Sequence, residues 1–130
     1  MNSRKIGKQA EQKIIDILKN NRNRLPPWMI GPFVSASTED DKKGIDIWVG
    51  TDIGDLPLQV KSRHCSKRKP SFYRNKSIGY VNLRGAKRGI LKSNKELFGN
   101  VIKELKILRQ KRKNLLEKTV EYDNVVLSQQ

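Results

Sequence analysis

The sequence contains a single cysteine, Cys65, among its 130 residues. One cysteine excludes an intramolecular disulfide and a zinc site built from several cysteines. The chain also lacks an apolar run that approaches the ~20 residues of a membrane span, and its first residues lack the apolar core of a signal peptide. These absences predict a soluble, cytoplasmic protein without a membrane-embedded part.

Acidic residues are absent from Leu56 to Lys95, a segment that holds twelve lysines and arginines. Eight of the 13 acids of the chain precede this segment. The formal net charge of +15 exceeds what solubility requires, and it favours a polyanionic partner, most commonly nucleic acid. A basic ribosome-associated or membrane-surface protein has similar totals, so composition alone does not decide between these classes.

The length suits one domain over residues 1–130, and no internal repeat interrupts it. Apolar residues at four-residue spacing predict a first helix from Ser3 to about Asn20. A second, long helix is predicted from 94 to about 118, with Asn94 as its N-cap. Its expected core-facing stripe comprises Leu97, Val101, Leu105, Leu108 and Leu115.

Strands are predicted between the two helices. Trp28 to Ser35 is an irregular or edge strand because it contains Pro32. The alternating segments Ile45–Val49 and Leu56–Lys61 predict a hairpin joined by a loop from Gly50 to Asp55. Two further strands are expected at Ile78–Leu83 and through Val125–Leu127, and loops at Ser37–Lys43 and His64–Lys76. The order indicates an α+β or mixed α/β domain.

Alternation along the hairpin predicts which side chains share a face. If Val49 faces Leu56, Asp46 faces Gln59 on the neighbouring strand. Asp46, Gln59 and Lys61 then converge on one side. The apolar residues point to the core on the other side: Ile45, Ile47, Val49, Leu58 and Val60.

Glu11 lies beside the apolar stripe of the first helix. It is either a boundary glutamate whose head reaches water or, if this helix packs beside the hairpin, a member of the polar cluster. Two carboxylates, an amide oxygen and a lysine suit a hard divalent cation, which takes oxygen ligands and lowers the pKa of water. Taken singly, Asp46 would be an edge carboxylate and Lys61 a solvated lysine.

The ordered set of motifs resembles the PD-(D/E)XK nuclease superfamily. Asp46 is followed by twelve residues and then by Gln59-Val60-Lys61-Ser62, and a helical Glu11 precedes it. The segment SRKIGKQAEQKIIDIL is similar to the first helix of archaeal Holliday-junction resolvases of this superfamily. Gly44-Ile45-Asp46 stands where the family has its PD. The Gln59-x-Lys61 form departs from acid-x-lysine and resembles the glutamine variant of a few restriction-like enzymes and intron-encoded homing endonucleases.

The resemblance implies a restriction-endonuclease-like core with a mixed central sheet, and a site for magnesium, with manganese as an alternative. It implies a catalytic set of Glu11, Asp46, Gln59 and Lys61. Glu11, Asp46, the Gln59 oxygen and the Val60 carbonyl would hold the metal, and Lys61 would handle the attacking water. Glutamine in place of an acid removes one negative charge, which should weaken metal affinity or mark an inactive relative.

The implied function is a magnesium-dependent DNA endonuclease of homing or restriction type that cleaves both strands at specific sites. The alternatives are a Holliday-junction resolvase and, from a different class, a non-catalytic nucleic-acid-binding protein. Cutting two strands usually takes two active sites, so a homo-oligomer, either a dimer or a tetramer, is expected. Such a protein would be associated with the nucleoid when it is bound to double-stranded DNA.

The basic segment from about 63 to 92 is expected to contact DNA phosphates, although a solvated loop is the alternative. The predicted contacts are Arg63, Lys67, Arg68, Lys69, Arg74, Lys76, Arg84, Lys87 and Arg88. His64 and Cys65 would point to opposite faces of a strand, so they are not expected to share a ligand. The run Glu39-Asp40-Asp41 is predicted to be solvated, unless its loop folds back and brings Asp41 to the metal.

Overall fold

A computed structural model describes residues 3–62, 68–85 and 90–128, with side chains described from residue 6 to residue 120 within those ranges. It is a mixed α+β structure with a four-stranded sheet and a long C-terminal helix. The elements are α1 (Ser3–Asn20), β1 (Phe33–Ser35), α2 (Thr38–Lys42), β2 (Ile47–Thr51), β3 (Gly54–Lys61), α3 (Pro70–Arg74), β4 (Gly79–Asn82) and α4 (Asn94–Ser128), with one 3-10 turn at Arg22–Arg24.

The sheet has the strand order β1-β2-β3-β4. The pairs β1–β2 and β2–β3 are antiparallel, and β3–β4 is parallel. A parallel pair needs a crossover, and here the chain between the two strands includes α3. Gly79 opens β4 because a Cβ there would lie 2.7 Å from Leu58 Cδ2. The close packing of β4 on β3 therefore requires glycine.

The helices α1 and α4 cover one face of the sheet. Ile14 and Leu18 of α1 are fully buried, as are Val101 and Leu105 of α4. They join one core cluster with the apolar side chains that alternate along β2, β3 and β4. The residues that recur at helical spacing on α1 therefore pack against the residues that alternate along the strands. The predicted bounds of α1 are confirmed.

The hairpin has the predicted register, with Val49 paired to Leu56. Its turn is shorter than predicted, because Thr51 pairs with Gly54 and leaves only two residues between the strands. Gly54 has a φ of +108°, a conformation that glycine adopts readily. The turn is thus tighter than the six-residue loop expected, without a change in which residues face each other.

Two segments predicted as loops contain short helices. Ser37 Oγ accepts a hydrogen bond from the Asp40 N–H and caps α2, so the loop prediction for Ser37–Lys43 is wrong. Pro70 opens α3 inside the segment His64–Lys76, of which residues 64–67 lie outside the described residues. The first strand begins only at Phe33, directly after Pro32, and lies at the sheet edge.

Helix α4 departs from its prediction at both ends. The Ser93 hydroxyl, and not Asn94, accepts a hydrogen bond from the Glu96 N–H at its start. The helix continues to Ser128, so its predicted end near 118 and the predicted strand at Val125–Leu127 are wrong. Leu115 is 63% exposed, because nothing in the described structure packs on this part of the helix. Within the described ranges, no helix is both long and apolar enough to cross a membrane.

Candidate metal centre and active site

A cleft of about 1310 Å³ opens beside α1 and α2, at the end of the sheet where β2 begins and β3 ends. All four residues predicted to form the catalytic set line it: Glu11, Asp46, Gln59 and Lys61. Val60, the remaining residue of the predicted metal site, lines it as well. The fold therefore brings together residues that are up to 50 positions apart in the chain.

Asp46 lies just before β2 and is held by the backbone of β3. Its N–H donates to the Leu58 carbonyl over 2.8 Å, and its Oδ2 accepts from the Val60 N–H over 2.8 Å. The side chain is only 7% exposed. These bonds extend the ladder of the hairpin by one residue and fix the carboxylate beside Gln59 and Lys61, as the register predicts.

Asp41, on α2, joins Glu11 and Asp46 in one carboxylate cluster. One oxygen from each of the three lies within 4.8 Å of the others. Glu11 is half-buried and Asp41 is exposed. The sequence indicated Asp41 only on the condition that its segment folds back, and the capped helix α2 does fold it back.

The cluster raises the pKa of two of its members. Burial, then a hydrogen bond with Asp41 and the charges of Glu11 and Asp41, raise the pKa of Asp46 to about 7, against a lowering by the Val60 N–H. Burial and the charge of Asp41 raise the pKa of Glu11, which a hydrogen bond with Asp46 and the charge of Lys8 lower. Three carboxylates this close repel each other, and a cation between them would relieve that repulsion.

Gln59 contributes a buried acceptor to the same cleft. The residue is 5% exposed, and its Oε1 accepts no hydrogen bond from any described residue. A buried polar atom without a partner costs free energy, so it usually has a function or an absent ligand. Three carboxylates and an amide oxygen are the donors that a hard divalent cation such as magnesium takes. The residues present therefore fit the metal that the sequence predicts.

Lys61 lies at the end of β3 on the cleft side, with its Nζ 5.8 Å from the ring centroid of Tyr73. Tyr73 stacks on Tyr80 with centroids 5.5 Å apart. Both tyrosines belong to a second apolar cluster on this face, together with Ile45 and Ile78. The expectation that Ile45 faces the main core is wrong, because it precedes β2 and escapes the alternation of the strand.

The predicted DNA-contacting residues divide into three groups. Arg68 and Arg84 line the cleft. Lys69, Arg74 and Lys76 are exposed but not at the cleft, and Arg74 pairs with Glu104 over 2.9 Å. The remaining four lie outside the described residues: Arg63, Lys67, Lys87 and Arg88.

Two lysines at the cleft were not singled out from the sequence. Lys8 lies on α1, one helical turn before Glu11, and Lys42 follows Asp41 on α2. The described lining thus holds five basic residues and three acidic ones. Spacing relative to Glu11 is a signal that could have found Lys8, since residues three apart share a helix face. Lys42 could not be found in this way, because its segment was predicted as a loop and only the structure shows the helix α2 there.

In comparisons with known proteins, no family model, no curated protein and no solved structure matches this chain. The functional assignment therefore depends on the residues of the cleft and their geometry.

Proposed function

We propose that the chain is a magnesium-dependent DNA endonuclease of the PD-(D/E)XK superfamily with a restriction-endonuclease-like core. The observation that supports it most is the cleft, in which the predicted acids and lysine meet a buried amide oxygen that has no partner among the described residues. A nucleic-acid-binding module without catalysis would have no use for carboxylates at its basic surface, because they repel phosphate.

In this proposal Glu11, Asp46 and the Gln59 oxygen hold the ion, with the Val60 carbonyl beside them. When bound, the ion lowers the pKa of water and offsets the charge that grows on the phosphate. Lys61 orients the attacking water with its ammonium group and stabilises the same charge. The backbone bonds that fix Asp46 keep its carboxylate in place without rearrangement.

Double-stranded DNA is the proposed substrate. Lys8, Lys42, Arg68 and Arg84 surround the acidic cluster and would contact phosphates on either side of the cut. Affinity should accordingly fall steeply with salt. Site-specific cleavage of the homing or restriction type would require base contacts in addition.

A homo-oligomer is part of the proposal, since each chain carries one cleft of this kind in its described part and duplex DNA has two strands. The later turns of α4 support it, because Leu115, Leu116 and Val120 are more than half exposed there. Apolar side chains on a helix that extends past its own core suit packing against a second copy.

Cleavage of supercoiled plasmid in magnesium tests the function. We expect the wild-type protein to cut, and Asp46→Ala and Lys61→Ala to lose on the order of 100- to 1000-fold in rate. Lys106→Ala is the matched control. Lys106 is exposed on α4, so this substitution removes one positive charge at a position away from the cleft. Its rate should stay within about twofold of the wild-type rate.

Equal cutting by all four proteins would contradict the site, and no cutting with several cations and substrates would contradict the activity. Linear duplexes and four-way junctions offered in the same assay distinguish the lead function from a Holliday-junction resolvase. Preference for the junction would favour the resolvase, which the likeness of the first helix suggests.

A further inference from the structure

Gln59 leaves the proposed cation site with one negative charge fewer than an acid at that position would give. A site with two carboxylates and a neutral amide should hold a divalent cation weakly. The structure supplies a third carboxylate from elsewhere, since Asp41 of α2 has an oxygen within 4.8 Å of those of Glu11 and Asp46.

We propose that Asp41 is the third anionic ligand of the cation site, in place of the charge that Gln59 lacks, and that Trp48 positions it through Asp40. This inference rests on the cation site of the proposed function. It assigns a role to a short helix whose sequence is otherwise that of a solvated acidic loop.

A buried atom gives independent support that this cluster binds a ligand. Gln59 lines the same cleft and is only 5% exposed. Its Oε1 lacks a hydrogen-bond partner among the described residues. Acidic residues can gather on a surface without a function. An amide oxygen buried beside them without a hydrogen bond indicates that a donor or a cation belongs there.

The backbone around α2 directs Asp41 into the cleft. The Asp40 carbonyl accepts from the Ile45 N–H over 3.1 Å, and the Asp41 carbonyl accepts from the Gly44 N–H over 3.0 Å. Gly44 makes this turn with a φ of +89°. A Cβ at Gly44 would lie 3.1 Å from the Tyr73 ring and 3.8 Å from Gln59 Oε1, so the turn passes directly beside the site.

Trp48 fixes the helix from the side of the sheet. Its Nε1 donates to Asp40 Oδ2 over 3.1 Å, and the ring is partly buried against the second apolar cluster. Asp40 and Asp41 are adjacent, so the hydrogen bond that holds the Asp40 carboxylate also limits the directions that the Asp41 carboxylate can take. Trp48 is therefore a positioning residue that touches neither the cation nor the substrate.

Titration calorimetry with Mn²⁺, and with Mg²⁺ as a second ion, tests the ligand without DNA. Asp41→Asn should weaken binding about tenfold or more, because it removes one charged oxygen ligand. Glu39→Gln removes one negative charge from the same helix, at an exposed position outside the cluster, and is the matched control. Its affinity should stay within about twofold of wild type.

Restoration of the charge separates a ligand from a structural residue. The double variant Asp41→Asn/Gln59→Glu returns the third carboxylate at the neighbouring position, so it should recover most of the lost Mn²⁺ affinity. Trp48→Phe keeps an aromatic, though smaller, side chain and removes the N–H, and it should weaken binding roughly threefold to tenfold. Circular dichroism and melting curves of the metal-free variants verify that each is folded.

The two proposals fail in different ways. If wild-type protein binds neither ion, the cation site of the proposed function is lost and the role of Asp41 with it. If wild type binds and Asp41→Asn binds equally well, only the Asp41 assignment is overturned. A double variant that stays weak overturns the charge replacement, and an unchanged Trp48→Phe overturns the positioning role.

Discussion

The two faces of the sheet are built from alternate residues of the same strands, yet they differ in the polarity of the side chains they bury. On the helix-covered face, Leu58 and Val60 of β3 are buried among apolar side chains from α1 and α4. On the other face, Gln59 is buried without a hydrogen-bond partner among the described residues, and Lys61 lines the cleft that holds the carboxylate cluster. The helix-covered face gains stability from its large apolar core. The cleft face has only a smaller apolar cluster and keeps, beside it, a buried oxygen without a partner among the described residues and three crowded carboxylates, the pattern expected where function is placed.

Neighbouring residues on β3 provide the strongest test of this contrast. Leu58→Ala should lower the free energy of unfolding by about 3 kcal/mol, because it leaves a cavity beneath α4. Gln59→Leu should leave it unchanged or raise it, since an unsatisfied buried oxygen is removed. Urea denaturation of metal-free protein measures both. A loss at Gln59 as large as that at Leu58 would show that the cleft face also stabilises the fold through this side chain.

The pH dependence of metal-free protein is the next largest expected effect. The pKa of Asp46 is raised to about 7 in the folded state from an ordinary 3.8, so the folded state binds the proton more tightly than the unfolded state does. The contribution of Asp46 to the free energy of unfolding is fully present below pH 4 and is lost as the pH rises through 7. The free energy of unfolding falls over this range by up to about 1.4 kcal/mol per pH unit.

Asp46→Asn cannot ionise, so its stability in chelator should decline less between pH 5 and pH 8 than that of wild type. Urea denaturation at each pH checks this expectation. Parallel curves for the two proteins would contradict the assigned burial of the carboxylate.

The smallest effects are expected at two glycines. Gly44→Ala should cost about 1 kcal/mol, because the residue has a positive φ and its Cβ would press on Tyr73. Gly99→Ala, in the interior of α4, should gain up to about 1 kcal/mol, because no described atom outside the adjoining helix backbone lies within 4 Å of the added Cβ. Thermal melts of both variants measure the difference. A gain at Gly44 would mean that the turn beside the site is not constrained as described.

The hairpin was predictable from the sequence because two independent patterns agree. Alternation set which residues share a face, and a connection from Gly50 to Asp55 set Val49 opposite Leu56, which the register confirms. Asp46, Gln59 and Lys61 followed from that register. Ile45 did not, because periodicity holds only within a strand and β2 begins at Ile47.

The short helices were not predictable from periodicity, which needs more than five residues to be read. The signal for α2 was instead a cap, Ser37 followed three residues later by Asp40. Asp41 was missed as a firm member of the site for the same reason. The end of α4 was misjudged because it was placed just after Leu115, which was taken as the last core-facing residue. In the structure the last buried position of the stripe is Leu108, and the helix continues without a core to Ser128.

The positions of the cluster members along the chain have a consequence for folding. Asp41, Asp46, Gln59 and Lys61 lie within one short stretch, and they meet once the hairpin and the turn at Gly44 have formed. Glu11 is the one carboxylate of the described cluster that arrives from a distant segment. A cation bound by Glu11, Asp41 and Asp46 together would link α1 to the hairpin and to α2. Because it would bind the folded arrangement and not the unfolded chain, the cation would stabilise the packing of α1 on the hairpin by mass action.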